Sequence, residues 1–348
     1  MNSNIKKALI CKNVQSFSLN EGLVANYTPK AGDVGVFKVL PESSGYIMNE
    51  QGIACPIFEE DLLLLAFGSR YATNQFEGYV PDVPTSRCQL LGRGGVAGLL
   101  RSSNANFKVI PPELELVGYA TDDSGHVINT IQEDKLDVFN AVYTRTKVIL
   151  SVGSSMDSGK TTTAAWLCGG LKRSGYRVAY LKLTGTAFPK DAMLAKSRGA
   201  DYVNDFSFFG YPSTYLLDRE ILLDLYQSLV NLACDAVDPD YIVIEIADGL
   251  LQRETNLLLK DQAFMSTVHS MILSCGDSLG VLSGLNLLEE MAFPPFAVSG
   301  LFTASALLID EVQQCVRTPI LNLNDLLNGQ ATQLLESLDR QLHKAVAY

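Results

Sequence analysis

The sequence predicts an α/β fold in which a mostly parallel sheet is covered by helices on both faces, preceded by a small β-rich domain for which a barrel is one solution. Three observations predict it. Residues 147–163, KVILSVGSSMDSGKTTT, run from an apolar, β-branched stretch through a small-residue turn into sequence of helical character. Beyond residue 146, apolar stretches alternate with helical segments of about ten residues or more, the pattern of a parallel sheet buried on both faces. Before it, the apolar runs are short and cut by turn signals. The expected boundaries are a β-rich domain over 1–130, a linker or short helix over 131–145 and the α/β domain over 146–348.

In the front domain, Pro29-Lys30-Ala31-Gly32-Asp33 reads as a tight turn opening the strand VGVFKVL. Asp123-Ser124-Gly125 is a hairpin signal between LVGYAT and HVINT. Gly92, Gly94 and Gly95 surround Arg93 without the strand-then-helix frame of a dinucleotide fingerprint, so a structural turn is expected there, with an anion-contacting loop as the alternative. Residues 71–83, aromatic among polar and containing Pro81, read as a surface loop.

In the second domain, a helix over 161–171 ends at Ser174-Gly175, and RVAYLKL is a buried strand with Lys182 near its C-terminal end. A short helix from about Asp191 leads to a strand over about 200–205, a loop over FSFFGYPSTYLL, a helix from Arg219 to Cys234 and a strand from Tyr241 to Ile246. Residues 269–275, 296–300 and 319–323 are further strand candidates. Ligands of such sheets bind outside the carboxyl ends of the strands. Gly153–Thr161, Lys182, Asp205 and Glu245 all fall there.

A strand that stops at glycine and restarts as a helix headed by Lys-Thr forms a phosphate-binding loop, the P-loop: backbone N–H groups and the helix N-terminus face the anion. The strict pattern places glycine five residues before Gly159; here Ser154 stands there and Gly153 one residue earlier. Gly153, Ser154, Ser158, Gly159, Lys160, Thr161 and Thr162 are the expected nucleotide contacts, Lys160 neutralising the outer phosphates. The Thr161 hydroxyl is the natural Mg2+ ligand. Glu245 ends an apolar strand, where a carboxylate is costly unless paired or bound to a cation, so it is a second expected metal ligand. Thr162 reaches the α-phosphate or is an ordinary first-turn residue.

The loop GSSMDSGKT, followed by Lys182 in YLKLTG and Glu245 in YIVIEIADG, resembles the dethiobiotin synthetase and cobyrinic acid a,c-diamide synthase group, relatives of the nitrogenase iron protein and the division-site ATPases. The resemblance covers roughly residues 146–325. It implies a P-loop NTPase fold, ATP and Mg2+ as cofactors, a homodimer, and phosphoryl transfer or ligation on a small carboxylate-bearing acceptor. It also implies roles for Lys182 in holding the transferring group, for Asp157 as a loop acid beside Lys160 and Glu245 in catalysis, and for Asp205 as a third metal ligand. Where the synthetases have a glycine-rich turn, this chain has Ala247-Asp248-Gly249, which points to a different acceptor; Arg253 either contacts that acceptor or forms a surface ion pair. The alternative is a regulatory or assembly ATPase whose front domain recognises a protein partner, or a nucleotide sensor.

Composition narrows the partners. The formal charge is −11, from 27 basic and 38 acidic side chains, without a basic run, which disfavours nucleic acid. Mean hydropathy is +0.13, yet no apolar stretch reaches the roughly 18 residues of a membrane helix, so no membrane association is expected. Seven scattered cysteines without a CxxC pair point to a reducing cytoplasm.

Overall fold

The computed structural model describes residues 5–141 and 145–346, with side chains through residue 341. Residues 142–144 of the expected linker lie outside the described residues; of the rest, Glu133–Lys135 form a single 3-10 turn. The chain forms two compact units, one of residues 1–136, 185–189 and 206–216, the other of residues 137–184, 190–205 and 217–348.

The front unit contains β1 (Ile5–Lys7), β2 (Ser18–Asn20), β3 (Val34–Val39), β4 (Gly45–Met48), β5 (Ala54–Ile57), β6 (Leu62–Phe67), β7 (Phe76–Tyr79), β8 (Arg87–Gly92), β9 (Val96–Ser103) and β10 (Glu113–Thr121). Eight of them make a mixed sheet in the order β1-β6-β3-β10-β8-β9-β7, with β2 on β10, while β4 and β5 form a separate hairpin. A short parallel pairing of Ala66 and Phe67 with Val96 and Ala97 also links β6 to β9. This unit is a mixed β-sheet domain, separate from the parallel sheet that follows it. Phe37, Leu63, Leu65, Phe67, Leu114 and Tyr119 fill its core. Residues 71–83, expected as a surface loop, contain β7, which pairs antiparallel with β9; Phe76 and Gly78 alternate inward, a period-two signal too short to outweigh the polar residues around it.

Both turn signals are realised. Asp33 accepts the backbone N–H of Lys30 at 2.8 Å just before β3, and Asp122 to His126 close a hairpin around Gly125. The Gly92–Gly95 stretch is the turn between β8 and β9, with the Arg93 guanidinium over the ring of Tyr46 at 4.1 Å. A Cβ on Gly94 would stand 2.1 Å from the carbonyl oxygen of Ala187, so only glycine lets that backbone approach. Ala187 belongs to a small ladder in which its N–H donates to Pro212 and Thr214 N–H donates to Gly185.

The second unit contains β11 (Lys147–Gly153), α1 (Lys160–Arg173), β12 (Val178–Lys182), α2 (Lys190–Arg198), β13 (Tyr202–Asp205), α3 (Arg219–Val237), β14 (Tyr241–Glu245), α4 (Arg253–Lys260), α5 (Gln262–Ser266), β15 (Ser270–Ser274), α6 (Ser278–Glu290), β16 (Ala297–Ser299), α7 (Ala306–Gln313), α8 (Leu323–Leu327) and α9 (Gln330–Val346). Its six strands are all parallel, in the order β13-β12-β14-β11-β15-β16. Alternate residues Ile149, Val178, Tyr180, Val243 and Ile272 pack one face against α1, α2, α8 and α9. Their neighbours Leu150, Ala179, Ile242 and Leu273 bury the other face, where α3 and α6 lie. This is an α/β P-loop NTPase fold, with the loop at the end of the central strand β11.

One strand expectation is corrected. Residues 319–323 contribute only a single parallel bridge between Ile320 and Val298. The Asn322 side chain accepts the backbone N–H groups of Asn324 and Asp325, while Asp325 accepts that of Asn322. This capping box turns the chain into α8 at Leu323 before a strand can extend.

Candidate nucleotide-binding site

The strand ends place one polar row under the first turn of α1. Because Tyr180, Val243, Ile149, Ile272 and Ala297 face α1, period two puts Lys182, Glu245, Ser151, Ser274 and Ser299 on the same face at the carboxyl ends of β12, β14, β11, β15 and β16. From the helix, Thr161 donates to Glu245 Oε1 at 2.9 Å and Thr163 to Ser299 at 3.4 Å; Ser151 donates to the carbonyl of Lys160 at 3.3 Å. The apolar strands turn polar at these ends, where the helix N-terminus favours an anion.

The loop between β11 and α1 is closely packed. A Cβ on Gly153 would stand 2.3 Å from Ser158 Oγ and 2.7 Å from Lys160 Cγ, which explains why the glycine falls at 153. Ser154, one residue on, instead uses its N–H to bond the carbonyl of Ser274 at 2.9 Å, tying the loop to β15. Gly159 has φ 100°, and a Cβ there would stand 3.1 Å from Gly300 Cα. Ser158 Oγ is buried and unpartnered beneath the loop, as is the Ser274 hydroxyl on the register partner of Gly153.

Lys160 Nζ donates to the carbonyl of Ser155 at 2.8 Å, folded over its own loop. Burial pushes its pKa down, opposed by Glu245, Asp248 and Asp157, so its charge is held at a cost that an incoming phosphate would offset. Asp157 sits exposed in the loop with φ 60°, and Thr162 lies half-buried in the first turn of α1.

Glu245, 2% exposed, accepts Thr161 on one oxygen and the Tyr180 hydroxyl on the other, at 2.6 Å. Lys182 donates to Asp191 at the start of α2 and lies 3.8 Å from Glu245 Oε1. Burial works against its charge, yet Asp191, Glu245 and Asp205 together raise its pKa above the ordinary lysine range. Asp205 stands opposite Lys182 in the β12–β13 register and reaches the group through it. The structure therefore brings Lys160, Thr161, Glu245 and Lys182 together. Arg253, the candidate acceptor contact, forms the alternative ion pair with Glu254 at 2.7 Å and bonds the carbonyl of Leu217 at 2.8 Å.

Two members were missed from the sequence. Tyr180 carried a signal, since a tyrosine inside a buried aliphatic strand must find a partner for its hydroxyl. Asp191 carried none beyond its place at a helix start. Among the described residues no three His, Cys, Asp or Glu side chains converge on a metal position. The one hydroxyl and one carboxylate at 2.9 Å fit a cation of the Mg2+ kind, which keeps waters and shares ligand phosphates.

No protein-family model matches the chain, and no curated protein matches it. Among solved structures, it is similar to a DUF1611 family protein from Anabaena variabilis, with 16% identity, 62% of this chain and 65% of that one covered, and a TM-score of 0.40. The signal recognition particle receptor FtsY from Elizabethkingia anophelis gives 20% identity, 55% and 65% coverage and 0.37; a ParA family ATPase from Chlorobium tepidum gives 14%, 57% and 99%, and 0.33. The chain thus spans 65% of the length of the first two. At these identities the likeness concerns the fold alone. A dethiobiotin synthetase identity is not what these matches support, and the small-molecule acceptor expected as partner is corrected, because the named neighbours are a signal recognition particle receptor and a ParA family ATPase. The chain is a P-loop NTPase in fold, with a nucleotide as the ligand its site is shaped for.

Proposed function

We propose that the chain is a nucleotide-dependent regulatory or assembly ATPase, binding ATP with Mg2+ at the P-loop unit and presenting the front unit to a protein partner. The carrying observation is the junction of Lys160, Thr161 and Glu245 at the head of α1, where a helix N-terminus, a buried ammonium and a hydroxyl–carboxylate pair converge. Thr161 and Glu245 would hold the metal, which supplies charge neutralisation for the outer phosphates. Lys160 binds those phosphates, and Gly153, Ser154, Ser158 and Gly159 shape the loop around them.

A regulatory role is supported over transfer to an acceptor by what the other cations do. Lys182 is tied to Asp191 and Arg253 to Glu254, so both side chains expected to hold an acceptor are engaged within the chain. An ATPase completed by a partner hydrolyses slowly alone.

Calorimetry and a phosphate-release assay on the purified chain test this reading. One Mg-ATP site per chain is expected, with turnover well below the ~10 s⁻¹ median of enzymes and a roughly hundredfold weaker site in Lys160→Ala. Turnover at or above that median by the chain alone, or equal binding by Lys160→Ala, would contradict it.

A further inference from the structure

The hydroxyl of Tyr180 is bonded to Glu245. Its ring is fully buried and its Oη donates to Glu245 Oε2 at 2.6 Å. The two residues are diagonal neighbours across β12 and β14, where Tyr180 pairs with Val243 and Lys182 with Glu245. A phenol held this way cannot leave the carboxylate without becoming an unpaired buried donor, so Oε2 stays occupied. The other oxygen differs: its donor is the half-buried Thr161 at the head of α1, with Lys182 Nζ 3.8 Å away.

We propose that Tyr180 sets the cation preference of the nucleotide site by leaving Glu245 a single oxygen to offer, an inference that rests on the Mg-nucleotide reading above. Mg2+ takes single carboxylate oxygens in a tight octahedron completed by waters and phosphates, whereas the larger Ca2+ gains from carboxylates that bind through both oxygens. With Oε2 held by Tyr180, the two-oxygen mode is closed, and a cation that needs it is disfavoured. Tyr180 is a positioning residue: it touches neither nucleotide nor metal and acts through the carboxylate.

The test is the affinity of the full chain for a non-hydrolysable ATP analogue, titrated by calorimetry in saturating Mg2+ and in saturating Ca2+, for the parent, Tyr180→Phe and Glu245→Gln, with melting curves alongside. The parent should favour Mg2+, Glu245→Gln should erase the preference, and Tyr180→Phe should narrow the ratio of the two affinities by roughly tenfold, chiefly through tighter binding with Ca2+. A merely structural tyrosine would shift the melting curve and weaken both titrations alike. Should Tyr180→Phe melt without cooperativity, Tyr180→Leu, which also removes the hydroxyl, must narrow the ratio instead. Retention of the parent's ratio in a folded hydroxyl-less variant, while Glu245→Gln loses it, overturns the proposal and leaves the nucleotide reading standing; a parent that binds the analogue with neither ion removes both.

Discussion

Asp33 in the front unit and Glu245 in the second are buried alike, 3% and 2% exposed, and each accepts hydrogen bonds on both oxygens. Their donors differ in kind. Asp33 takes the Tyr27 hydroxyl and the Lys30 backbone N–H on one oxygen and the Asn129 amide on the other. That amide cannot turn over, since it also donates to the carbonyl of Ala31 and accepts the N–H of Ile131. The hydrogen bonds to the Glu245 side chain come from hydroxyls that rotate, on elements 84 and 65 residues away in the chain, with Lys182 beside them at 3.8 Å. A carboxylate with a fixed N–H donor on each oxygen closes a turn; one bonded by hydroxyls at strand and helix ends can exchange a partner for a cation. The difference separates a structural buried charge from a functional one without reference to any ligand.

The same chemical change should therefore have opposite results in the two units. Asp33→Asn forces an amide N–H against a pinned N–H donor and should cost about 2 kcal/mol, read as a lowered urea midpoint. Glu245→Gln should stay within about 1 kcal/mol of the parent, because the amide oxygen can keep the Tyr180 hydroxyl while the amide N–H faces Thr161, a half-buried hydroxyl that can turn from donor to acceptor. Equal losses in both would erase the distinction. A smaller effect comes from a third carboxylate, at the opposite end of the parallel sheet. Asp339 on α9 accepts Lys147 Nζ at 2.5 Å and contacts His269 Nε2 at 2.8 Å. Burial raises its pKa, but Lys147 and His269 win and hold it below the ordinary aspartate range. A depressed folded-state pKa means stabilisation that is present above the unfolded value of about 4 and lost as pH falls through the lowered one. The melting temperature of the parent should fall toward that of Asp339→Asn on acidification through this window, and a gap that stays constant with pH would sharpen the comparison against Asp339.

The P-loop unit was legible where the signal is local. Residues 147–163 carry their own strand, turn and helix, and Glu245 stands out as a charge ending an apolar strand. Side-chain direction then follows from period two, which put Lys182 and Glu245 on the face of α1. What was not legible depends on contacts distant in sequence. No local signal shows that residues 185–189 and 206–216 fold with the front unit, because that is decided by close approaches such as Gly94 against Ala187. Lys182 was legible as a buried cation but not as one already paired, since Asp191 lies on the next helix. In the front unit β7 was hidden by its brevity, and the sheet order by pairings such as β3 with β6 and β10, which no periodicity encodes.

A crystal structure with Mg2+ and a non-hydrolysable ATP analogue tests the central claim most directly. The account predicts Lys160 Nζ withdrawn from the Ser155 carbonyl onto the outer phosphates, Thr161 and Glu245 Oε1 turned to the cation or its waters, and Tyr180 still on Glu245 Oε2. An analogue bound elsewhere, or bound at the loop with Lys160 still on Ser155 and the Thr161–Glu245 bond intact, would contradict it.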